Sequence, residues 1–506
     1  MRRVGRCGAA LLACVLLAGF TCAPALATPE GQSTQVYGQP PVWGGCDQVI
    51  GDTSAIPTAQ CGTVSVPVDY ANPEGAQAQL AVIRIPASGD RTGVLMVNPG
   101  GPGASAVDTV AGMGASLADS EISRRFDLVG FDPRGVGHST PELRCRTDAE
   151  FDTYRREPNA DYSSAGVAHI EDLYHQFTQS CADRVGKDFL ANVGTATTAR
   201  DMEVVRAALG ENQISYLGFS YGTEIGAAYA EAHPDRIRAM VLDGAVDPSL
   251  DPLEENLRQM AAFQQAFEDY AADCAQLAGC PLGNDPAQAV NRYHQLIDPL
   301  ATQPAATSDP RGLSYQDAIT GTVNALYSRQ YWKFLTSGLL GLQRGSDPGD
   351  LLLLADDYLN RLPSGHYQNS QDAFYAIRCV NSQFPTDPAV WAAADQRARQ
   401  AAPFLSYGSF TGLAPRDICA TWPVPATAGP HTAVSPGPGK VVVVSTTHDP
   451  ATPYQAGVDL ARQMDAGLIT FDGTQHTVVF NGDACVDTAV VAFLIDGVQP
   501  PEGLRC

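Results

Sequence analysis

Positive charge is scarce in this 506-residue sequence: 32 Lys and Arg stand against 55 Asp and Glu, and charged residues of both signs make up only 17%. A chain with a formal net charge of −23 has little with which to neutralise phosphates, which excludes nucleic acid as a partner and a polybasic attachment to lipid headgroups. The acidic excess reads as a solvated surface that keeps the chain soluble. Long apolar runs are also missing. Beyond a short N-terminal stretch, no segment reaches the about 18 uncharged apolar residues that a bilayer-spanning helix needs. No Cys-x-x-Cys or Cys/His grouping at ligand spacing occurs, so a structural zinc site is not expected. Nor does any Gly-x-Gly-x-x-Gly open a helix or any Gly-x-x-x-x-Gly-Lys-Ser/Thr occur, which removes dinucleotide and P-loop chemistry. Internal repeats are absent as well. Apolar residues, at 44%, are plentiful enough for a large core and exclude disorder as the main state. The length suggests two packed units, or one core carrying a large insertion.

Cysteine is the exception to this scarcity, with thirteen residues. Arg2, Arg3 and Arg6 precede an apolar run from Ala9 to Phe20, and Ala25-Leu26-Ala27 offers small residues for cleavage before Thr28. This is the pattern of a secretory signal peptide over residues 1–27. Cys22 does not make it a lipoprotein signal, because Gly19-Phe20-Thr21 lacks the Leu and small residues of a lipobox. Cleavage at Ala27 would remove Cys7, Cys14 and Cys22 together with three arginines, leaving ten cysteines and a charge of −26. An even number in an exported chain predicts up to five disulfides. Spacing does not determine their connectivity. The simplest arrangement pairs neighbours: Cys46–Cys61, Cys145–Cys181, Cys274–Cys280, Cys379–Cys419 and Cys485–Cys506.

After a Gly/Pro/Gln-rich lead-in over residues 28–60, strands and helices alternate. Leu80–Ile85, Gly93–Asn98, Phe126–Phe131, Ile214–Phe219 and Ala239–Asp243 are short runs rich in β-branched and aromatic residues, bounded by turn residues, and read as strands. Residues 199–209 carry helical periodicity and stop at Gly210, and Glu224–His233 reads as another helix. Such alternation predicts a mostly parallel sheet covered on both faces. From about Pro248 to Pro430 strand signals vanish. Leu257, Met260, Phe263, Phe267 and Tyr270 instead recur at helical spacing. Buried-strand patterns return at Val441–Val444 and Leu468–Phe471. The expectation is one α/β core (61–248 and 433–506) interrupted by a mainly helical cap (249–432).

Gly218-Phe219-Ser220-Tyr221-Gly222 sits between a strand and a helix. A strand-to-helix turn this sharp strains the nucleophile's backbone and needs small residues two positions to either side, the signature of a nucleophile elbow. A serine nucleophile needs a base and an orienting acid, which here follow in the chain order Ser…Asp…His. Asp449, in His448-Asp449-Pro450-Ala451-Thr452-Pro453, and His476, in Gly473-Thr474-Gln475-His476-Thr477, each follow one of the two C-terminal strands. That is the carboxyl edge where α/β sheets gather their sites. His448 adjoins the acid and His138 follows the Arg134–Gly137 turn, so neither fits the base position. Asn98-Pro99-Gly100-Gly101-Pro102-Gly103 ends a strand. Its Gly101 amide, with that of Tyr221, would form the two-donor oxyanion hole that acyl transfer requires.

Taken together, Asn98–Gly103, Phe126–Ser139 (FDLVGFDPRGVGHS), Gly218–Thr223, Asp449–Pro453 and Gln475-His476, with Cys379 in Ala-Ile-Arg-Cys-Val and Ile418–Pro423 (ICATWP), resemble the secreted tripeptidyl aminopeptidases of actinobacteria. These are α/β-hydrolase serine exopeptidases related to proline iminopeptidases. The likeness runs from about residue 40 to the C-terminus. It departs at Ala106 and Asn381, where a glycine and an aspartate are expected. The resemblance implies an α/β-hydrolase core with a large helical cap. It also implies an acyl-enzyme on Ser220, His476 as general acid and base, Asp449 orienting it, and peptide substrates with a free N-terminus. No metal or organic cofactor is implied, and the chain is read as a monomer. An exopeptidase must hold a substrate ammonium, for which Glu224, Glu254 and Glu255 are candidates. The favoured reading of each is nonetheless a solvated or structural acid. The main alternative is an exported esterase, lactonase or amide hydrolase using the same residues on small molecules. A catalytically dead binding protein is disfavoured by the intact set.

Overall fold

Val441–Thr446 reads Val-Val-Val-Val-Ser-Thr, and all six residues are buried. A strand dry on both faces belongs inside a sheet covered by helices on either side. A computed structural model describes residues 39–506; the expected signal peptide lies outside these residues. Nine strands, β1 (Val42–Gly44), β2 (Gln60–Pro67), β3 (Gln77–Ile85), β4 (Gly93–Asn98), β5 (Phe126–Phe131), β6 (Ile214–Phe219), β7 (Ile237–Asp243), β8 (Val441–Thr446) and β9 (Gly467–Phe471), form one sheet in the order β1-β2-β3-β5-β4-β6-β7-β8-β9. The pairings from β5 through β4 and β6 to β9 are parallel, whereas β1, β2 and β3 add an antiparallel edge. The lead-in thus joins the sheet through β1, and β2 is a strand the sequence pattern did not announce. Its residues alternate between buried and accessible, so its apolar content is too low for a recognisable run.

Alternate side chains of the parallel strands feed two apolar layers. Tyr216, Met240, Leu242, Val441 and Val443 lie in one layer. Leu217, Val241, Val442, Val444 and Ile469 lie in the other. The register sets Asn98 beside Gly218, Phe219 beside Asp243, and Asp243 beside Val444. Four carboxyl ends therefore terminate side by side, and whatever follows each strand shares one edge.

Between β7 and β8 the chain contributes no strand to this sheet. Its longest helix, Pro252–Cys274, starts where sequence signals place it, with Pro252 in the first turn and the Asp251 side chain capping the Leu253 and Glu254 amides. This helical segment has its own core, in which Phe267 stacks on Phe404 at 4.7 Å and Tyr270 meets Trp332 edge-on. The helical layer is also broader than the segment between β7 and β8. Between β5 and β6, Arg146 and Arg155 flank the helix Asp148–Tyr154 and form buried ion pairs with this segment, Arg146 with Asp372 and Arg155 with Asp317 and Asp356, and Glu171 of the helix Ser164–Val185 pairs with Arg416. All five cysteine pairs are bonded in the neighbour arrangement. Among the described residues no helix is long and apolar enough to cross a membrane.

Candidate active site

Ser220 sits between β6 and the helix Tyr221–Ala232 with φ 54° and ψ −127°, a region a side-chain-bearing residue enters only when its surroundings force it. The surroundings do so. Its N–H donates to the Asp243 carbonyl at 2.9 Å, and its carbonyl accepts from the Thr223 amide and hydroxyl at 2.8 and 2.7 Å. The turn tolerates nothing larger than glycine at its contact with the Asn98–Gly103 loop. A Cβ on Gly222 would lie 2.5 Å from the Asn98 carbonyl oxygen, and one on Gly100 would lie 2.4 Å from that of Phe219. These close approaches bring the loop against the elbow. Neither the Gly101 nor the Tyr221 amide donates a hydrogen bond to a described residue. Tyr221 opens its helix, so the positive end of the helix dipole adds to that unfilled donor pair.

Asp449, buried in the turn after β8, accepts from its own loop, the Ala451 and Thr452 amides, at 2.8 and 2.9 Å. Both of its oxygens lie 2.9 Å from His476 Nδ1. The imidazole is fixed from three further directions. Its backbone N–H donates to the Tyr327 carbonyl at 2.9 Å, the Tyr327 ring packs edge-on at 5.3 Å, and Thr452 Oγ1 approaches Nδ1 at 3.4 Å. Nε2 makes no hydrogen bond to a described residue, Ser220 Oγ included. Burial acts to lower the pKa of His476, but the charge and hydrogen bond of Asp449, with a contribution from Asp243, outweigh it and leave the pKa raised. The protonated ring is thereby favoured, as a proton acceptor at this position requires.

The three candidate ammonium partners differ. Glu254 is ion-paired with Arg397 and Arg258. Glu224, one turn after Ser220, accepts from Thr195 Oγ1 at 2.9 Å and from Asn381 Nδ2 at 3.3 Å. Burial and repulsion from Glu255 push its carboxyl up to about 7. Glu255 is exposed, and desolvation raises its pKa, with the charge of Arg378 opposing. Neither Glu224 nor Glu255 forms an ion pair among the described residues. Sequence reasoning passed over the residues that frame this site: Thr195, Tyr327 and Asp243. Of these only Asp243 carried a signal, an acid at the end of a recognised strand directly before a glycine. His448 and His138 pair instead with Asp269 and Asp108.

Fold and site together define a hydrolase: residues 93–483 match the family described as alpha/beta hydrolase fold, and the chain belongs to that family. It is 66% identical to carboxylesterase B of Mycobacterium tuberculosis, over 97% of this chain and 96% of that one. It is 52% identical to serine protease Hip1 of the same organism, over 98% and 96%. With the tripeptidyl aminopeptidase of Streptomyces lividans it shares 31% identity, over 88% and 83%. These relatives support a serine hydrolase and leave peptide and ester substrates as the choice to be made.

Proposed function

We propose that the protein is an exported serine aminopeptidase that releases short peptides, tripeptides in the first instance, from free N-termini. Ser220 Oγ attacks the scissile carbonyl while His476 Nε2 takes its proton. Asp449 holds the Nδ1–H and stabilises the imidazolium, and the Gly101 and Tyr221 amides receive the oxyanion. His476 then protonates the departing amine. Water, deprotonated by the same nitrogen, cleaves the acyl-enzyme and frees the peptide acid. No step calls on a cofactor. Five disulfides favour an oxidising compartment, in keeping with a signal peptide cleaved near Ala27. The helical segment after Ser249 serves as the cap.

The observation that carries peptidase over esterase is the Glu224/Glu255 pair. Glu224 has no cation beside it, and Glu255 feels only the charge of Arg378, which is already paired with Asp417. The repulsion of Glu255 on Glu224 is relieved when a further cation enters, and a substrate α-ammonium is that cation. An apolar acyl chain would gain nothing from them. A second reading, hydrolysis of small esters, is favoured by the 66% identical relative named carboxylesterase B.

Turnover of tripeptide-, prolyl- and N-blocked p-nitroanilides beside short p-nitrophenyl esters separates the two, with Ser220→Ala as blank. The expected result is cleavage of free-amine anilides and little of blocked ones. Glu224→Gln should raise KM for the free-amine substrate about 10- to 100-fold while leaving ester turnover within about 3-fold, the size of a lost charge-assisted contact. Ester hydrolysis with no turnover of any free-amine peptide would overturn the reading.

A further inference from the structure

The elbow, the acid turn and the His476 loop come from different parts of the chain, yet one residue contacts or adjoins all three. Asp243, the last residue of β7, is fully buried. Its main-chain carbonyl accepts the Ser220 N–H at 2.9 Å. Its Oδ2 accepts two amides of the His476 loop, Val478 and Val479, each at 2.8 Å. The next residue, Gly244, has φ +66°, and its N–H donates to the Val444 carbonyl at 3.1 Å. A Cβ there would stand 3.1 Å from both His476 Cε1 and Thr452 Oγ1. The remaining carboxylate oxygen, Oδ1, is buried and has no hydrogen-bond partner among the described residues.

We infer that Asp243 is a positioning residue: it fixes His476 relative to Ser220 by clamping the elbow through its backbone and the His476 loop through Oδ2, and it adds a second negative charge behind the imidazole. The inference rests on Ser220 and His476 being nucleophile and base. A residue present only to fill the core would not need a carboxylate here. Val478 and Val479 follow Thr477, whose φ of +59° is strained for a β-branched side chain. Phe480, at φ +61°, repeats the strain on the other side. A loop bent twice in this way keeps its path only if something holds it, and Oδ2 takes the two amides between the bends. The lone Oδ1 is the costly part of the arrangement. A hydroxyl side chain could have held one amide without leaving a buried oxygen orphaned, so the carboxylate is the feature that needs a reason. The titratable groups that face it are His476, from the loop after β9, and Asp449, from the turn after β8. Asp243 favours the protonated imidazole, the form created as Ser220 attacks. Burial, with repulsion from Asp449, outweighs its two amide bonds and the attraction of His476 and pushes its own carboxyl up to about 7, so its charge builds as pH rises through neutrality and fades in acid.

Two variants separate the clamp from the charge. In Asp243→Asn the amide oxygen can take the Oδ2 place and keep both loop bonds while the charge is lost; Asp243→Ala loses both. Labelling of wild-type enzyme at Ser220 by a fluorophosphonate, absent in Ser220→Ala, first establishes the nucleophile independently and then counts active sites in each variant. Expected per active site are a fall in kcat of about 100-fold for Asp243→Ala with KM within about 3-fold, and for Asp243→Asn a smaller fall. The acid limb of kcat/KM for Asp243→Asn should lie about half a pH unit lower, because His476 loses a charge that raises its pKa. If Asp243→Ala does not fold, Asp243→Asn decides. An acid limb unmoved from wild type, or Asp243→Ala sites turning over at the wild-type kcat, would overturn the proposal, since a purely structural residue lowers Tm without moving either.

Discussion

The ends of β7 and β8 make the same local arrangement for different purposes. Each finishes on or near an aspartate buried in the core edge, and each aspartate spends one oxygen on two backbone amides. Asp449 takes Ala451 and Thr452, two and three residues ahead in its own turn. Asp243 takes Val478 and Val479, 235 and 236 residues away. The first carboxylate is held by its own loop and offers both oxygens to an imidazole N–H; the second holds someone else's loop and keeps one oxygen unpaired. A carboxylate pre-set by its own turn can orient a base, because the base does not have to position it. A carboxylate that reaches across chain segments sets the spacing between them.

The largest effect should come from breaking the local member of the pair. Asp449→Asn replaces an acceptor for Nδ1–H with an amide that can present N–H to it, which favours the wrong tautomer and removes the charge facing the imidazolium. A fall in kcat of about 10,000-fold with an unchanged Tm is expected. Loss of only a few-fold would mean that Asp243 supplies the orienting charge instead.

Gly244→Ala tests the cross-chain member by a different route. The new Cβ would press on His476 Cε1, Thr477 Cγ2 and Thr452 Oγ1, at 3.0 to 3.1 Å. Gly345, at the end of the helix Trp332–Arg344, has nearly the same φ, +63° against +66°, and open space around it. Both alanines suffer the same left-handed backbone, a cost of about 1 kcal/mol. Gly345→Ala should therefore lower Tm and leave kcat alone, whereas Gly244→Ala should lower Tm similarly and cut kcat by about 10- to 100-fold, as small displacements of a base do. Equal kcat in the two variants would show that the end of β7 does not control His476.

The contrast also explains what could be read from the chain. β4, β5 and β6 follow the predicted bounds to the residue because buried parallel strands are continuous apolar runs with turns at both ends. Ser220, Asp449 and His476 stand out as candidates for a related reason: each lies in a short turn directly after such a run, and the fold brings Asp449 and His476 into contact. β2 was not, since an edge-side strand with accessible alternate residues blends into its surroundings. The roles of Asp243, Tyr327 and Thr195 escaped because their partners are brought near only by the fold. Tyr327, whose carbonyl takes the His476 N–H, comes from a helical region where aromatic residues at core spacing look alike.

Extending the comparison to a third acid, Glu224, gives the smallest and most discriminating effect. Asn381 stands where the sequence resemblance implies an aspartate, and the structure gives the asparagine a task. Its Nδ2 donates to Glu224 Oε1 and Thr195 Oγ1 while its Oδ1 accepts from the Thr195 amide. Only an amide can do all three. Asn381→Asp keeps the acceptor and turns the donor into a second acceptor beside a carboxylate whose pKa already stands at about 7. The added repulsion disfavours the ionised form of Glu224, so its pKa rises further, by about one unit for a loss of about 1.4 kcal/mol. Ionised Glu224 is what would hold the substrate ammonium. KM for a free-amine anilide should then climb as pH falls through a range about one unit higher than in wild type, while KM for a p-nitrophenyl ester keeps its pH profile. A shift shared by both substrates would place the effect on His476 rather than on Glu224, and no shift for either would remove Glu224 from ammonium binding. The separation of the two profiles is the part a merely looser cleft could not produce.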